Sequence, residues 1–220
     1  MAHHLPNGIE GNSEFGLHTL MAGMSPKRRR TRAVLALMIT ERLELIPATA
    51  DLCEAEARGP EVVGRALQVR VPASWPPPVF EPDDVERLRR QLERDPASQA
   101  WTLYYLVLRV AVTAEPRELV GIAGYAGPPS AKGVVEIGYA IAAEYQRRGY
   151  ATEVVQALLA RAFAHAEVAV VRATTYATLG PSIGVLRKTG FALVGQEPAS
   201  GLLRYEHRRD SGSGPIGPAA

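Results

Sequence analysis

The sequence predicts an α/β fold in which a mixed, mostly antiparallel sheet of about six to seven strands carries helices on both faces. Strand-like segments recur along the chain with helix-like segments between them. Three long strand segments follow one another directly, as in an antiparallel meander. The third of them, Val134 to Ile141, is separated from the next strand by a long helix, which is typical of a right-handed parallel crossover.

The length and composition are sufficient for one domain. A chain of 220 residues with 46% hydrophobic content can bury one substantial core. We expect a folded domain over 38–208, a disordered extension over 1–37 and a flexible tail over 209–220, because both ends combine Gly, Ser and Pro without periodicity. No apolar stretch approaches the roughly 20 residues of a membrane span, so we expect no membrane association. The single cysteine, Cys53, excludes an intramolecular disulfide and agrees with a cytoplasmic location.

The basic residues are concentrated in one short run. The net charge is +2, but the run from Lys27 to Arg32 carries five positive charges, which leaves −3 for the rest of the chain. Such a run can bind nucleic acid electrostatically, which gives a nucleic acid-associated protein as one alternative function. We favour the simpler interpretation of a solvated tail without a nucleic acid partner.

The first half of the domain alternates strand and helix signals. Arg42–Ile46 alternates as a short strand, Thr49 is a plausible N-cap for a helix through Arg58, and Pro60 opens a further helix. A helix over Asp83–Arg94 has apolar residues on one face. Cys53 fits a small buried hydrophobe in the first helix. Trp75, in a Pro-rich loop, fits a packed aromatic better than the wall of an acceptor pocket.

In the second half, the meander strands are Trp101–Val112, Glu118–Tyr125 and Val134–Ile141. Helical periodicity then runs from Ala151 to Phe163. After it we expect a strand, a short helix and two closing strands, over Val168–Thr175, Ser182–Gly190, Ala192–Val194 and Leu202–His207. Gly190 is the expected left-handed residue that ends the short helix, with Phe191 packed against Leu186.

A phosphate site is predicted where the third meander strand leads into the longest amphipathic helix. The start of a helix presents unpaired backbone N–H groups and the positive end of the helix dipole, which together bind phosphate. Gly149 allows the backbone to approach a ligand closely, Ala151 keeps that approach open, and two arginines add positive charge. The junction reads Gln146-Arg147-Arg148-Gly149-Tyr150-Ala151-Thr152.

This junction resembles the pyrophosphate-binding loop of the GNAT superfamily of N-acetyltransferases: Gln or Arg, two variable residues, Gly, one variable residue, then Gly or Ala. Three further segments are similar to the RimJ/RimL branch, which acetylates ribosomal protein N-termini: Thr40–Leu45, Glu136–Ile141 and Pro181–Phe191. The resemblance spans about Met38 to Arg208. One position departs from the pattern, because Leu179 stands where the family usually has an Asn three residues before Ser182.

The resemblance implies acetyl-CoA as cofactor and a primary amine as acceptor, either a protein N-terminus or a small molecule. It also implies the residues that hold coenzyme A: Tyr139, Ile141, Gln146, Arg147, Arg148, Gly149, Tyr150, Ala151, Thr152 and Ser182. The departure at Leu179 motivates an alternative, a non-catalytic acyl-CoA-binding or regulatory protein on the same fold. The sequence leaves open whether the chain forms a homodimer.

Acetyl transfer needs a base for the amine, a donor for the oxyanion and an acid for the leaving thiolate. Glu136 is the candidate base, since burial in a strand would raise its pKa. The alternative is that Glu136 lies on the solvent face or pairs with an arginine such as Arg109. Ser182 is a candidate acid or cofactor contact, and alternatively an N-cap. Three tyrosines are further candidate acids: Tyr139, Tyr150 and Tyr176. Asp83 and Asp84 fit helix N-terminal charges, and we expect no metal site.

Overall fold

A computed structural model of the chain describes residues 37–77, 82–109 and 117–209. The first part contains two strands, two helices, a further strand and a third helix: β1 Met38–Ile39, β2 Leu43–Pro47, α1 Ala50–Ala57, α2 Pro60–Leu67, β3 Val69–Arg70 and α3 Pro82–Arg94. A 3₁₀ helix, Pro96–Trp101, leads into the rest: β4 Leu103–Leu108, β5 Arg117–Tyr125, β6 Val134–Ile141, a 3₁₀ turn at Ala143–Tyr145, α4 Tyr150–Phe163, β7 Val170–Tyr176, α5 Gly180–Lys188, β8 Ala192–Gln196 and β9 Leu202–Arg208. Residues 1–36, which contain the basic run, and residues 210–220 lie outside the described residues.

The strands form one mixed sheet, which confirms the predicted fold class. Within the described residues the sheet has nine strands in the order β1-β2-β4-β5-β6-β7-β9-β8, with β3 beside β5. The seven expected strands are all present, and the two additional ones, β1 and β3, have two residues each. Among the strands that the structure describes, only the β6–β7 and β3–β5 pairs are parallel, which confirms the parallel pairing predicted across the long helix.

Helices cover both faces of the sheet, and each face has its own apolar cluster. α4 and α5 pack on one face, where the predicted apolar stripe of α4 is buried at Val154, Val155, Leu158, Leu159 and Ala162. α1, α2 and α3 pack on the other face, with Val85, Leu88 and Leu92 of α3 buried as expected. None of the helices in these three ranges combines the length and apolarity that a membrane crossing requires.

The second cluster also contains the two residues whose role was predicted as packing. Cys53 is buried, and burial raises the pKa of its thiol to about 12. Trp75 is 7% exposed, its ring centroid lies 6.4 Å from that of Tyr105, and its Nε1 donates to Glu56 Oε1 at 2.6 Å. Both predictions of a buried packing role are confirmed.

Several element boundaries differ from the expectation, each with a local cause. Thr49 does cap α1, where its Oγ1 accepts from Leu52 N at 3.0 Å. The strand expected from Trp101 begins only at Leu103, because Pro96 opens a 3₁₀ helix whose Asp95 cap accepts from a backbone N–H. The short helix expected from Ser182 begins at Gly180, since proline fits the first turn.

The predicted end of this helix is confirmed. Gly190 has φ +83°, and Phe191 N donates to Leu186 O at 2.9 Å. Gly190 N donates to Arg187 O at 3.2 Å. These are the two hydrogen bonds of a Schellman ending.

Candidate active site

β6 changes its hydrogen-bonding partner partway along its length. Its first three residues, Val134–Glu136, pair in parallel with β7, whereas Ile137–Ile141 pair antiparallel with β5. Beyond Glu136, β6 and β7 share no ladder, which leaves a gap between the two strands. Peptide groups of a strand alternate between its two neighbours, so the β6 groups facing β7 in this segment have no strand partner. The gap therefore offers backbone N–H and C=O groups to a ligand.

Glu136 stands at the point where the β6–β7 ladder ends. Thr174 Oγ1, on β7, donates to Glu136 Oε1 at 3.2 Å. Burial raises the pKa of Glu136, while the Thr174 hydrogen bond and the charges of Arg172 and Arg204 oppose the rise. Glu136 therefore has the raised pKa that the sequence predicted.

The predicted alternative of an arginine partner for Glu136 holds only through the charges of Arg172 and Arg204, which lower its pKa. Arg109 is not its partner, because Arg109 Nη1 donates to Thr40 O at 2.8 Å. Nor does Glu136 lie on an exposed face, since its side chain is half-buried. Its neighbours Val135 and Ile137 belong to the cluster beneath α4, so Glu136 points to the opposite face of the sheet.

Tyr139 and Ser182 meet on the α4 side of the sheet. The Tyr139 hydroxyl lies 3.2 Å from Ser182 Oγ and donates to Ser182 O at 3.3 Å. Burial raises the pKa of Tyr139 to about 12, and the Ser182 hydrogen bond opposes the rise. The pair links β6 to the first turn of α5.

The interpretation of Ser182 as an N-cap is wrong. Ser182 is the third residue of α5, and Leu179 occupies the cap position with no side-chain hydrogen bond. The Leu179 side chain is instead 48% exposed. The Ser182 hydroxyl is thus available for another role.

The loop before α4 has the backbone that an anion site requires. Gly149 has φ +86° and Arg147 has φ +60°, both in the left-handed region. No side chain caps α4, and its first backbone hydrogen bond runs from Glu153 N to Gly149 O at 3.1 Å. The N–H groups of the three residues before Glu153 therefore have no intrahelical partner. They lie at the positive end of a 14-residue helix.

Positive charge accompanies these N–H groups. Arg147 and Arg148 are exposed, and neither forms an ion pair within the described ranges of the chain. Arg148 Cζ lies 5.4 Å from the centroid of the Tyr145 ring. The two guanidinium groups are therefore available to a phosphate-bearing ligand.

The loop is tied to its surroundings at its beginning. Gln146 Nε2 donates to Ile141 O at 3.0 Å, which braces the turn that follows β6. Ser74 binds the Glu144 carboxylate through its backbone N–H, at 3.0 Å, and through its hydroxyl, and it accepts from Ala143 N at 3.1 Å. These contacts hold the loop without occupying the start of α4.

The remaining residues predicted to bind coenzyme A lie before the start of α4 or in its first turn. Tyr150 is buried, and Arg42 Cζ lies 4.6 Å from the centroid of its ring. Ala151 and Thr152 are half-buried in the first turn, and Ile141 is buried at the end of β6. This packing favours a supporting role for Tyr150 at the loop over the predicted role as an acid.

Several residues that contact the site from distant parts of the chain were not predicted. Thr174 is one, and Thr40, Arg42 and Glu153 form a group on the far side of the loop. Glu153 carries a weak signal, an acidic residue in the first turn of a helix. Nothing in the local sequence indicates that Arg42 pairs with a residue 111 positions later.

Asp83 and Asp84 both lie in the first turn of α3, as predicted. Asp84 is 3% exposed and forms an ion pair with Arg87 at 2.8 Å. Over the part of the chain that the structure describes, no three His, Cys, Asp or Glu side chains converge as metal ligands.

The chain matches one protein family over most of its length and is similar to a curated protein of the same kind. Residues 42–192 match the acetyltransferase (GNAT) domain family. An uncharacterized N-acetyltransferase of Bacillus subtilis, YjdG, is 26% identical over 160 residues, covering 72% of this chain and 91% of that protein.

Two solved structures share the fold at low sequence identity. A candidate ribosomal-protein-serine acetyltransferase of Vibrio cholerae has a TM-score of 0.56 and 20% identity, covering 79% of this chain and 98% of that one. RimL, a ribosomal α-N-protein acetyltransferase in complex with coenzyme A, has a TM-score of 0.53 and 17% identity. The match covers 81% of this chain and 99% of that one. With its sheet, its uncapped cationic loop and a family match over most of its length, the chain belongs to the GNAT acetyltransferases, which transfer acetyl from acetyl-CoA.

Proposed function

We propose that this acetyltransferase acetylates a primary amine by direct attack on acetyl-CoA in a ternary complex. The observation that carries the proposal is the position of Glu136. Its half-buried carboxylate stands where the β6–β7 ladder ends, and the same strand leads to the uncapped start of α4. A base and a diphosphate site are thus connected by one gap lined with backbone amides.

The cofactor would lie along this gap with its diphosphate at the start of α4. The N–H groups at Gly149 and in the first turn would bind the diphosphate oxygens, with charge from Arg147 and Arg148. Gln146 would shape the loop, while Ile141 and Tyr139 would contact the pantetheine chain. The thioester would then lie near the end of the β6–β7 ladder.

The chemistry needs a neutral amine. Ordinary amines have pKa values of about 7.7–8.0 at a protein N-terminus and about 10.4 in lysine, so at neutral pH most acceptors arrive protonated. Glu136, directly or through a water molecule, would take that proton. The amine nitrogen then bonds to the thioester carbon, and an unpaired β6 N–H stabilises the oxyanion.

Collapse of the tetrahedral intermediate breaks the carbon–sulfur bond and releases the thiolate of coenzyme A. A hydroxyl on the α4 side of the gap would return a proton to that sulfur. Ser182 is the proposed donor, because its hydroxyl neighbours Tyr139 and serves no capping role. Base and acid would then act from opposite faces of the sheet.

Among amines, we favour the α-amino group of a protein or peptide. The solved structures of similar fold include acetyltransferases whose stated substrates are ribosomal proteins. An α-amino group also needs less help from a base than a lysine side chain, because its pKa is lower. A small-molecule amine is the competing acceptor.

The test is thiol release from acetyl-CoA with a panel of amines at neutral pH. The panel pairs peptides of one sequence with a free or a blocked N-terminus, and adds lysine side chains and small polyamines. We expect release with the free-N-terminal peptides and recovery of the acetyl group on their α-nitrogen by mass spectrometry. Tight binding of acetyl-CoA without release on any amine would overturn the proposal in favour of a non-catalytic binding protein.

A further inference from the structure

We propose that Arg42, at the start of β2, is a positioning residue that orients the loop before α4 for the diphosphate of the cofactor. The inference rests on the proposed function, since it assigns a new residue to the same site. Arg42 lies more than 100 positions from the loop it contacts, and no cofactor role follows from its local sequence.

Arg42 holds the loop and the helix start together. Its Nη1 donates to Arg148 O at 2.9 Å, and its Nε donates to Glu153 Oε2 at 2.7 Å. Its backbone N–H donates to Glu153 Oε1 at 2.8 Å, and Thr40 Oγ1 donates to the same oxygen at 2.5 Å. The turn between β1 and β2 therefore binds both the last part of the loop and the first turn of α4.

The contact with Arg148 O determines where the next N–H points. In a planar trans peptide the C=O and N–H bonds point in opposite directions. Because the Arg148 carbonyl faces Arg42, the N–H of Gly149 faces away from Arg42. That N–H is one of the donors that the proposed diphosphate site requires.

Arg42 also limits what can stand at position 149. A Cβ on Gly149 would lie 3.3 Å from Arg42 Nη2, and the backbone there has φ +86°. The guanidinium lies against the ring of Tyr150, 4.6 Å from Cζ to the centroid. The glycine, the arginine and the tyrosine thus form one packed unit that fixes the loop conformation.

The positive charge of Arg42 also neutralises the carboxylate of Glu153. Glu153 stabilises the start of α4 through the helix dipole, but its carboxylate would repel a diphosphate bound there. The Glu153 side chain is only 14% exposed, so water screens it poorly. Arg42 and Thr40 bind both of its oxygens, and Arg42 supplies the compensating charge. Without Arg42, a half-buried negative charge would face the anion site.

The test compares two ligands that differ in the diphosphate. Coenzyme A carries it and pantetheine lacks it, so a residue that acts on the diphosphate loop affects only the first. We expect Arg42→Ala to weaken coenzyme A binding by about 10- to 100-fold, while pantetheine binding changes by less than about 2-fold. Calorimetry measures coenzyme A, and ligand-observed NMR measures the weaker pantetheine.

The matched control is Arg109→Ala. Arg109 also binds the turn between β1 and β2, through Thr40 O at 2.8 Å and Glu41 O at 3.2 Å, but among the described residues no hydrogen bond or ion pair joins its side chain to the loop before α4. Arg109→Ala should leave the affinities for coenzyme A and for pantetheine unchanged. Equal weakening by the two variants would assign the effect to the turn and overturn the proposal.

Folding is checked by thermal unfolding of each variant. Should Arg42→Ala fail to fold, Arg42→Lys retains the charge but lacks the planar fork that reaches Glu153 and Arg148 O together. Arg42→Lys should also weaken the binding of coenzyme A and not of pantetheine, by a smaller factor than Arg42→Ala. An equal loss for both ligands, or none, overturns the inference. Failure of the parent protein to bind coenzyme A would instead count against the proposed function.

Discussion

The two ends of β6 differ in pairing, charge and exposure. At its beginning β6 is hydrogen-bonded to β7, and Glu136 is half-buried with a raised pKa. At its end β6 is bonded to β5 alone on its described ladder and leads into an exposed loop with two arginines. The first end is suited to holding and taking a proton, and the second to holding an anion. We therefore propose that this one strand connects the catalytic base to the cofactor-binding loop.

This division predicts that the two functions can be damaged separately. Changes at Glu136 should lower kcat and leave cofactor affinity intact, because in the proposed mechanism the carboxylate acts only on the amine. Changes at the loop should alter affinity for coenzyme A first. A variant that lowered kcat and the affinity for coenzyme A equally would contradict this separation of catalysis from cofactor binding.

Glu136→Gln is expected to have the largest effect. Removal of a general base typically costs about 10²- to 10⁴-fold, so kcat should fall in that range with free-N-terminal peptides. The dissociation constant of coenzyme A should stay within about 2-fold of the parent. Steady-state kinetics and calorimetry on the same samples measure the two quantities.

The stability of this variant gives an independent check. Because burial raises the pKa of Glu136 in the folded state, its stabilising contribution is complete below the unfolded pKa and is lost as pH rises through the folded pKa. Glu136→Gln should therefore be at least as stable as the parent at neutral pH. A large loss of stability would mean that Glu136 is a structural residue.

Leu179→Asn, at the N-cap of α5, is expected to have a smaller effect, on the stability of the folded chain. Leu179 is 48% exposed at the cap of α5, and Asn there can accept a hydrogen bond from the first turn. A gain of about 1 kcal/mol corresponds to a rise in Tm of about 2–4 °C in a chain of this size. Differential scanning calorimetry measures the change, and an unchanged or lower Tm would contradict it.

Thr174→Val should have the smallest effect, a change in pH dependence. The Thr174 hydroxyl lowers the pKa of Glu136 against the effect of burial, so its removal raises that pKa further. A base must be deprotonated to act, and the acid limb of the kcat/KM profile should move to higher pH. The plateau at high pH should change little. A shift to lower pH would contradict the assignment of Glu136.

Much of the fold follows from periodicity. The alternating segments identified all seven longer strands, and the 3.6-residue period identified α4 with its buried face. The boundaries at Trp101 and Ser182 were wrong because prolines at 96 and 181 begin helical turns earlier than the apolar pattern indicates. Strands of two residues, such as β1 and β3, are too short to show any period.

The loop before α4 was predicted as a unit because its residues are adjacent in sequence, whereas the contacts between distant residues of the candidate site were not predicted. The loop before α4 is a continuous segment, so its cap chemistry and charge can be read directly. The Arg42–Glu153 ion pair joins residues 111 positions apart, and the Glu136–Thr174 contact joins residues 38 apart. Both depend on strand order, and the partner change in β6 leaves no trace in its apolar alternation.

The most direct test of the account is the affinity of coenzyme A for the parent and for Gly149→Glu. Gly149 has φ +86°, which strains any other residue, and a Cβ there would lie 3.3 Å from Nη2 of Arg42, the residue proposed to hold the loop. The control is Gly201→Glu, at φ +72° with its nearest neighbour 3.9 Å away. We predict that calorimetry will show a loss of at least about 100-fold for Gly149→Glu and none for the control. Parent-like binding by Gly149→Glu would contradict the claim that the start of α4 holds the diphosphate.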